Sequence, residues 1–313
     1  MAERISIRLR DIAGEEEELA PGHRLCAGCA EPTIVRQMLH AIDDPVVVST
    51  ATGCLEVSTS IYPYTSWRVP WIHSAFENAS TTISGVEAAY KAMKRAGKIP
   101  EDQEIKFVAI GGDGASYDIG LQFISGALER GHDFVYICLN NEAYMNTGIQ
   151  RSSATPRGAH TTTSPAGDVI PGKIQWRKPW TRIMAAHDIR YVAQTAPHNY
   201  RDLMTKVKKA VNGDGPAVLN VLSPCPRGWR YSSEKTMEIS ELAADTCYWP
   251  LYEVENGELH LTYKPREKHP VEEWFRAQGR FRHLFRPANR WILEEIQDKV
   301  DEEWERLLEE EVE

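Results

Sequence analysis

The chain of 313 residues contains no long apolar run and no apolar segment near its N-terminus. No stretch approaches eighteen consecutive apolar residues, so we expect no transmembrane helix. Met1 to Leu9 has no signal-peptide core, which predicts a cytoplasmic protein that is not secreted. The sequence shows no internal repeat and no low-complexity tract. With 42% hydrophobic and 26% charged residues, the composition is typical of a soluble globular protein.

Positively charged residues are outnumbered in this chain. There are 36 Lys and Arg against 45 Asp and Glu, which gives a net charge of −9 at pH 7. This balance disfavours non-specific binding of nucleic acid. It also disfavours an acidic protein partner, unless a local basic patch receives it. We therefore expect neither a nucleic-acid partner nor a membrane partner.

Cysteine is sparse, with six in the chain. Because no signal peptide is predicted, metal binding or catalysis is favoured over a disulfide framework. Cys138 lies inside an apolar run and is interpreted as a buried structural thiol. Cys247 lies in an irregular stretch, and we assign it no role.

Three regions can be distinguished along the chain. Residues 1–20 are charged and predict an N-terminal arm outside the core. Residues 21–228 alternate short apolar runs with amphipathic stretches, which predicts a doubly wound, parallel α/β sheet. Residues 229–313 are polar and aromatic, and predict an irregular C-terminal extension that ends in an acidic helix.

The predicted elements follow from the period of the apolar residues. The predicted strands are Val46 to Ser49, Ile105 to Ile110, Phe134 to Leu139 and Ala217 to Leu222, and the predicted helices are Glu77 to Lys94, Asp118 to Arg130 and the stretch from Asn289 onward. In the last helix, one apolar stripe is predicted, formed by Ile292, Ile296, Val300, Trp304 and Leu308. Residues 146–180 are rich in Thr, Ser, Pro and Gly and predict a long functional loop.

Two polar motifs follow neighbouring predicted strands. Gly112-Asp113-Gly114 comes after one apolar run, and Asn140-Asn141 comes about twenty-five residues later, after the next. If both runs are parallel strands, Asp113 and Asn141 emerge side by side at the carboxyl edge of the sheet, where α/β sheets bind ligands. Two oxygen ligands with a nearby backbone carbonyl suit Mg²⁺, which takes the rest of its shell from water and a diphosphate. The spacing resembles the thiamine diphosphate signature.

A second Gly-Asp-Gly serves as a control for this motif. Gly213-Asp214-Gly215 follows a helical pattern, precedes Pro216 and has no Asn pair downstream. It predicts a turn that ends a helix before the strand Ala217 to Leu222. The tripeptide alone is therefore a weak signal.

Four cysteines have positions typical of a metal centre. Cys26 and Cys29 form a Cys-x-x-Cys knuckle, and Cys54 and Cys225 follow predicted strands. Four such thiolates suit either a [4Fe–4S] cluster or a structural zinc ion. The thiamine signature favours the cluster, because thiamine chemistry on a 2-oxo acid releases electrons that a neighbouring cluster could carry away.

Seven segments together resemble one known family. They are His23 to Cys29, Gly53 to Val57, Pro70 to His73, Phe76 to Asn78, Gly111 to Gly114, Tyr117 to Gly120 and Asn141 to Gly148. In this order they closely resemble the β subunit of pyruvate:ferredoxin oxidoreductase-type enzymes, over roughly residues 21–228. The resemblance implies the thiamine-diphosphate-binding fold.

The resemblance also implies roles for particular residues. Asp113 and Asn141 would bind Mg²⁺ through their side chains and Ala143 through its carbonyl oxygen. Asn146 would face the thiazolium ring and the substrate as the catalytic residue. The residues implied to contact the cofactor are Gly53, Gly112, Asp113, Gly114, Asn141, Ala143, Thr147 and Gly148, and those implied to hold a [4Fe–4S] cluster are Cys26, Cys29, Cys54 and Cys225.

Several parts of such an enzyme are expected on other chains. A partner subunit would hold the aminopyrimidine ring and supply the glutamate that activates it. Further clusters and a coenzyme A site would also lie elsewhere, since this sequence has no eight-cysteine ferredoxin run. Electrons would finally pass to ferredoxin.

The substrate is left open between two acids. The family default is pyruvate, oxidised with coenzyme A to acetyl-CoA and CO₂. Oxalate, oxidised to two CO₂ without coenzyme A, is the alternative. The chain departs from the family at Leu139-Asn140, where Tyr-Asp is common, and at Ala30, where Gly is common. Neither departure removes a ligand.

Other interpretations remain open as well. A thiamine-dependent lyase without redox output would have no need of the cysteines, and a zinc-stabilised binding protein would make the Gly-Asp-Gly coincidental. His73 could approach the cofactor or be a core histidine. His23 could tune the cluster or serve a turn. Arg151 could meet the diphosphate or a partner subunit.

Overall fold

A single eight-stranded sheet organises the structure, a computed structural model that describes residues 7–61 and 63–311. Its strands are β1 (Val46–Ala51), β2 (Trp71–Ser74), β3 (Lys106–Gly112), β4 (Val135–Asn140), β5 (Tyr191–Thr195), β6 (Ala217–Leu222), β7 (Tyr252–Glu255) and β8 (Glu258–Leu261). The order across the sheet is β2-β1-β3-β4-β6-β5-β7-β8. The first six strands pair in parallel, and β7 and β8 are antiparallel.

Helices connect the strands and cover the sheet. They are α1 (Leu9–Ile12), α2 (Glu31–Leu39), α3 (Cys54–Thr59), α4 (Ala79–Arg95), α5 (Leu121–Glu129), α6 (Trp180–Ala185), α7 (Tyr200–Asn212), α8 (Pro226–Trp229), α9 (Thr236–Asp245), α10 (Val271–Arg276) and α11 (Arg290–Glu310). A π-helix spans Gly114–Ile119, and 3₁₀ turns span Ser233–Lys235, Gly279–Phe285 and Pro287–Asn289. Residues 141–179 contain no helix or strand, in agreement with the predicted long loop.

The two faces of the sheet belong to two separate apolar cores. Val108 and Ile110 of β3 pack on the face covered by α2 and α7. Phe107 and Ala109 pack on the opposite face, which α4, α5 and α6 cover. Because alternate residues of a strand point to opposite faces, a strand buried on both faces is an almost unbroken apolar run. The predicted doubly wound α/β fold is confirmed, and Cys138 is a fully buried core thiol as predicted.

The C-terminal extension is more regular than the sequence predicted. It adds β7 and β8 to the sheet beside β5. It also carries a third core, in which Trp229, Trp274 and Phe281 are fully buried. Cys247 packs in this core. The extension is therefore a continuation of the sheet together with a helical layer.

The last helix buries the predicted stripe over its first turns only. Ile292, Ile296 and Val300 are buried, whereas Leu308 is exposed and Leu307 is buried in its place. Residues four apart on an α-helix differ in direction by about 40°, so a stripe with this spacing turns away from the core. For this reason Leu308, although part of the predicted stripe, does not pack on the body of this chain.

Two smaller features complete the fold. Leu19, in the predicted N-terminal arm, is buried in the core and forms an isolated bridge with Trp67, so the end of this segment is not external as predicted. Gly213 follows α7 directly and Gly215 has a φ of 88°, in agreement with a helix-ending turn. No helix among the described residues is long and apolar enough to cross a membrane.

Candidate cofactor and cluster site

Asp113 and Asn141 emerge side by side from the carboxyl edge of the sheet. β3 and β4 pair in parallel with Gly112 opposite Leu139, so the next residues of each strand leave the edge together. Asp113 is fully buried and Asn141 nearly so. This is the position at which open α/β sheets bind ligands.

Three oxygen atoms converge at this edge. Asn141 Nδ2 donates a hydrogen bond of 3.3 Å to Glu31 Oε1, and in that orientation its amide oxygen faces two other acceptors. These are the Ala143 carbonyl oxygen at 2.7 Å and Asp113 Oδ1 at 2.9 Å. With the amide turned over, Nδ2 donates to both of these oxygens. With a cation between the three groups, the amide oxygen would face inward instead. Neighbouring ligands in an octahedral Mg²⁺ shell are about 2.9 Å apart, so the set fits this ion.

Burial of the Asp113 carboxylate gives a second reason to expect a cation. Its burial raises the pKa of Asp113 to about 8, against the hydrogen bond from Ser152, and the charges of Glu142 and Asp118 raise it further. Ser152 Oγ donates to Asp113 Oδ2 at 2.5 Å, which fixes the other oxygen toward Asn141. A buried carboxylate without a counter-charge is unfavourable, and a divalent cation would compensate it.

The loop that carries two of these oxygens is clamped by the C-terminal extension. Glu142 stands between Asn141 and Ala143, is fully buried and has a left-handed φ of 66°. Arg280 Nη2 donates to Glu142 Oε2 at 2.5 Å, and its guanidinium lies 4.1 Å from the centre of the Trp229 ring. Trp229 Nε1 in turn donates to the Asn141 carbonyl oxygen at 2.7 Å. The strained loop thus has partners on both sides.

A cavity lies directly above the converging oxygens. It is lined by nearly all the residues for which the family resemblance implied cofactor contact, namely Gly53, Gly112, Asp113, Gly114, Asn141, Ala143 and Thr147, and also by Cys54 and Asn146. Gly148 does not line it. The structure thus brings the predicted residues together, while their individual roles stay predictions.

The two glycines beside Asp113 have different environments. A Cβ atom at Gly112 would meet nothing within 4 Å, so this position leaves open space above the sheet edge. A Cβ atom at Gly114 would overlap the ring of Tyr144. Only Gly112 therefore fits the expectation that glycine allows a diphosphate to approach. Gly114 is required by packing within the protein.

The four predicted cluster cysteines lie near one another as free thiols. Burial raises the pKa of Cys29 first, and the charges of Glu31, Cys225 and Cys54 raise it further. Burial likewise raises the pKa of Cys54, with contributions from Glu31, Cys225 and Cys26. Cys26 itself is exposed and the other three are half-buried.

Among the described residues, these thiols do not form a ready-made site for a single metal ion. In the part of the chain that the structure describes, no three His, Cys, Asp or Glu side chains are close enough to hold a single ion. Zinc–sulfur bonds of about 2.3 Å would place tetrahedral sulfur ligands about 3.8 Å apart. In a four-iron cluster the iron and sulfide atoms lie between the cysteines, so its ligands are farther apart.

The C-terminal extension also supports the cysteine knuckle. Cys29 N–H donates to the Cys26 carbonyl oxygen at 3.0 Å and closes the turn. Gly28 has a φ of 77°, and a Cβ atom there would lie 2.6 Å from Ser233 Cβ. Thr236 Oγ1 donates to the Gly28 carbonyl oxygen at 2.5 Å. Glycine is therefore required both by the backbone conformation and by the contact.

The predicted catalytic amide contacts one of the predicted cluster ligands. The Asn146 side chain lies beside the Cys54 thiol and lowers its pKa, which opposes the rise caused by burial. Both side chains line the cavity above the sheet edge. Asn146 therefore lies between the cofactor cavity and the cysteines.

The structure shows the exposure of three residues whose roles the sequence left open. His73 is exposed and bonds to Thr52 Oγ1 at 2.9 Å, so the interpretation as a core histidine was wrong. Thr52 lines the cofactor cavity. His23 is half-buried, and its Nδ1 has no partner among the described residues. Arg151 is exposed, and the structure does not separate its two interpretations.

Sequence reasoning missed four residues of the site. Glu31 is nearly fully buried, lines the cavity and orients Asn141, and its Oε2 has no hydrogen-bond partner among the described residues. Its place two residues after the Cys-x-x-Cys knuckle was an available signal. Ser152, Trp229 and Arg280 had no such signal, because each lies far along the chain from the residue that it supports.

Comparison with known proteins identifies the family. The family described as "Thiamine pyrophosphate enzyme, C-terminal TPP binding domain" matches residues 51–221. The chain is 53% identical to pyruvate synthase subunit PorB of Thermotoga maritima, over 96% of each sequence. It is also 53% identical to subunit PorB of Methanocaldococcus jannaschii, over 93% of this chain and 97% of that one. The chain belongs to this family of oxidoreductase β subunits.

A solved structure supports the fold independently. A 2-oxoglutarate:ferredoxin oxidoreductase from Magnetococcus marinus matches with a TM-score of 0.53 over 70% of this chain and 77% of that one. At 20% identity the likeness establishes the fold alone.

Family membership confirms two expectations drawn from the sequence. The chain is a β subunit of a thiamine-diphosphate-dependent 2-oxoacid:ferredoxin oxidoreductase that works with partner subunits. The non-redox lyase and the zinc-stabilised binding protein are therefore set aside.

Proposed function

We propose that this chain forms the diphosphate-binding and cluster-binding half of a pyruvate oxidoreductase. The enzyme would convert pyruvate and coenzyme A to acetyl-CoA and CO₂, and two electrons would pass through a [4Fe–4S] cluster to ferredoxin. The observation that carries the proposal is the convergence of the Asp113, Asn141 and Ala143 oxygens beside four neighbouring cysteines. Identity of 53% to pyruvate synthase subunits supports pyruvate as the substrate.

The three converging oxygens would hold Mg²⁺. Asp113 and Asn141 supply side-chain oxygens and Ala143 its carbonyl, and the diphosphate and water would complete the shell. Ser152 fixes the Asp113 carboxylate, and Glu31 turns the Asn141 amide so that its oxygen faces inward. The open space at Gly112 would admit a diphosphate close to the backbone.

The residues of this chain would orient the substrate at the cofactor. Thiamine diphosphate, when bound, supplies the carbanion that attacks a 2-oxo carbon and the electron sink that accepts the electrons of the broken bond. Asn146 would donate a hydrogen bond to the substrate oxygen that gains negative charge. Its contact with Cys54 holds the amide at the boundary between the substrate and the cluster.

The cysteines would provide the path by which electrons leave the cavity. Cys54 lines the cofactor cavity, and Cys26 is exposed. A cluster held by Cys26, Cys29, Cys54 and Cys225 would therefore reach from the cavity toward the surface. The thiamine-binding domain favours a cluster over a single zinc ion, because thiamine chemistry on a 2-oxo acid releases electrons.

The remaining parts would come from partner subunits. This chain would bind the diphosphate end of the cofactor. A partner subunit would supply the pocket for the aminopyrimidine ring and the glutamate that activates it. A ferredoxin-like, multi-cluster chain or domain would carry the electrons onward.

The first experiment is an assay of the complex purified anaerobically with its partner subunits. Viologen or ferredoxin reduction is followed with pyruvate plus coenzyme A, and separately with oxalate without coenzyme A. We expect reduction that depends on both pyruvate and coenzyme A. Coenzyme-independent reduction by oxalate would contradict pyruvate as the substrate and leave the cofactor assignment intact. Absence of bound thiamine diphosphate and iron in the active complex would contradict the site itself.

A further inference from the structure

A basic cleft lies outside the cofactor and cluster site. It has a volume of about 550 Å³ and is formed by the long loop, the residue after α8 and the 3₁₀ turns before α11. The basic side chains that line it are Arg230, Arg282, Arg286, His160 and His283. Asp168 is the acidic residue among the described residues that line it.

The three arginines of the cleft lack carboxylate partners. Among the described residues, no Asp or Glu oxygen lies within 4.0 Å of Arg230, Arg282 or Arg286, although ion pairs are frequent elsewhere on this surface. All three side chains are exposed. In a chain of net charge −9, three unpaired guanidinium groups in one cleft form a local field that attracts anions.

The left-handed backbone conformation of Arg230 indicates a function for its side chain. Arg230 follows α8 in the left-handed conformation, with φ 62° and ψ 60°. Glycine or asparagine usually occupies this position at a helix end, because other residues are strained there. Its carbonyl accepts a hydrogen bond of 3.1 Å from Gly279 N–H. A glycine would make this bond equally well, so the hydrogen bond gives no reason for arginine, whose Cβ and Cδ lie beside Gly279.

The charges of the cleft act on its histidines. Burial lowers the pKa of His160, and the charges of Arg230 and His283 lower it further. Burial also lowers the pKa of His283, with Arg286 and Arg230 adding to the effect. The Nδ1 atom of His160 accepts the Ala166 N–H at 3.0 Å, so neutral His160 carries its proton on Nε2 as a donor.

We propose that this cleft binds a phosphate-bearing ligand of about nucleotide size. The guanidinium group of an arginine can donate two parallel hydrogen bonds to the oxygens of one phosphate group. Three unpaired arginines carry more positive charge than a ligand with a single carboxylate would neutralise. The volume lies within the range of small-molecule pockets and is too large for inorganic phosphate alone. Phe285 lines the cleft, with the centre of its ring 4.3 Å from the guanidinium carbon of Arg276.

The phosphates could belong to a free nucleotide or to the nucleotide end of a coenzyme. The complex is therefore loaded with thiamine diphosphate and Mg²⁺, and titrated by calorimetry with ADP, with coenzyme A and with adenosine. We expect ADP to bind with an affinity that falls as salt rises, and adenosine not to bind. Tighter binding of coenzyme A that is weakened by the variants below would identify the coenzyme as the source.

Variants separate binding from folding. Arg230→Gly should weaken ADP binding at least tenfold while leaving the melting temperature unchanged or higher, because glycine relieves the strained backbone. Arg286→Ser should also weaken binding, whereas Arg95→Ser, an exposed arginine at the end of α4, should not. Failure of both ADP and coenzyme A to bind, or unchanged affinity in Arg230→Gly, would overturn the proposal. Either result leaves the proposed pyruvate reaction untouched, because that is assayed separately.

Discussion

At the residue scale, the two glycines beside Asp113 show that one motif can combine two physical requirements. Gly112 faces open space at the sheet edge, whereas Gly114 makes room for the ring of Tyr144. The sequence pattern alone treats them as equivalent. Their substitutions should therefore fail in different ways.

Gly112→Ala should fold normally and bind thiamine diphosphate at least tenfold more weakly, because its methyl group would occupy space left for the diphosphate. Gly114→Ala should instead lower the free energy of unfolding by about 1–3 kcal/mol, since its methyl group displaces a packed ring. Denaturant unfolding and equilibrium binding of the cofactor measure the two effects. Normal cofactor affinity in Gly112→Ala would contradict the placement of the diphosphate.

How far the site could be predicted depends on where each residue lies along the chain. Asp113 and Asn141 directly follow apolar runs, so their meeting at one edge follows from parallel pairing of β3 and β4. Arg280 lies far from Glu142 in the sequence, and no periodic pattern connects them. Long-range side-chain pairs of this kind depend on how the whole extension packs, which a local pattern does not contain.

At the element scale, four of the six parallel strands were predictable, and the antiparallel strands β7 and β8 were not. The predicted bounds of β1, β3, β4 and β6 agree with the structure to within two residues, because buried parallel strands are apolar throughout. β7 and β8 carry glutamates at Glu253, Glu255 and Glu258 and are only four residues long. Strands this short and half-polar resemble loops in sequence.

The contact between the extension and the long loop leads to a prediction about stability. Arg280→Met leaves the buried Glu142 carboxylate with only its 3.9 Å contact to Arg177, and should lower the free energy of unfolding by about 3–5 kcal/mol. Adding Glu142→Gln should restore part of this loss, because the buried charge is then removed. Denaturant unfolding of the single and double variants measures the coupling.

A matched control is available on the surface. Arg290 pairs with Glu272 at 2.6 Å, but both side chains are partly exposed. Arg290→Met should therefore change the free energy of unfolding by less than about 1 kcal/mol. Equal losses in the two arginine variants would refute the clamp. Magnesium-dependent cofactor binding should weaken only in Arg280→Met.

At the scale of the whole molecule, the proposed site would join an electron source to an exit. The cofactor cavity, Asn146 and Cys54 lie together, and Cys26 reaches the surface. The chain by itself would accept electrons and could not deliver them without its partner subunits.

Removal of Cys54 should separate the two functions. Cys54→Ala should lose most of the cluster iron and abolish ferredoxin reduction, while thiamine diphosphate remains bound through the Mg²⁺ site. Cys247→Ala, which changes a buried thiol in the C-terminal core, should retain its iron. Iron and sulfide analysis and the reduction assay provide the readout. Full ferredoxin reduction by Cys54→Ala would refute the cluster assignment.

The clamp by Arg280 and Trp229 also limits how this protein can be cut or recombined. The thiamine-binding family match ends at residue 221, yet the loop that carries Asn141 and Ala143 is held from beyond residue 228. A fragment that ends at residue 221 would expose this loop and remove Arg280, the hydrogen-bonded partner of the buried Glu142 carboxylate. Chimeras between relatives should therefore exchange the sheet and the extension as one unit, and a junction between them would need compensating changes at Glu142.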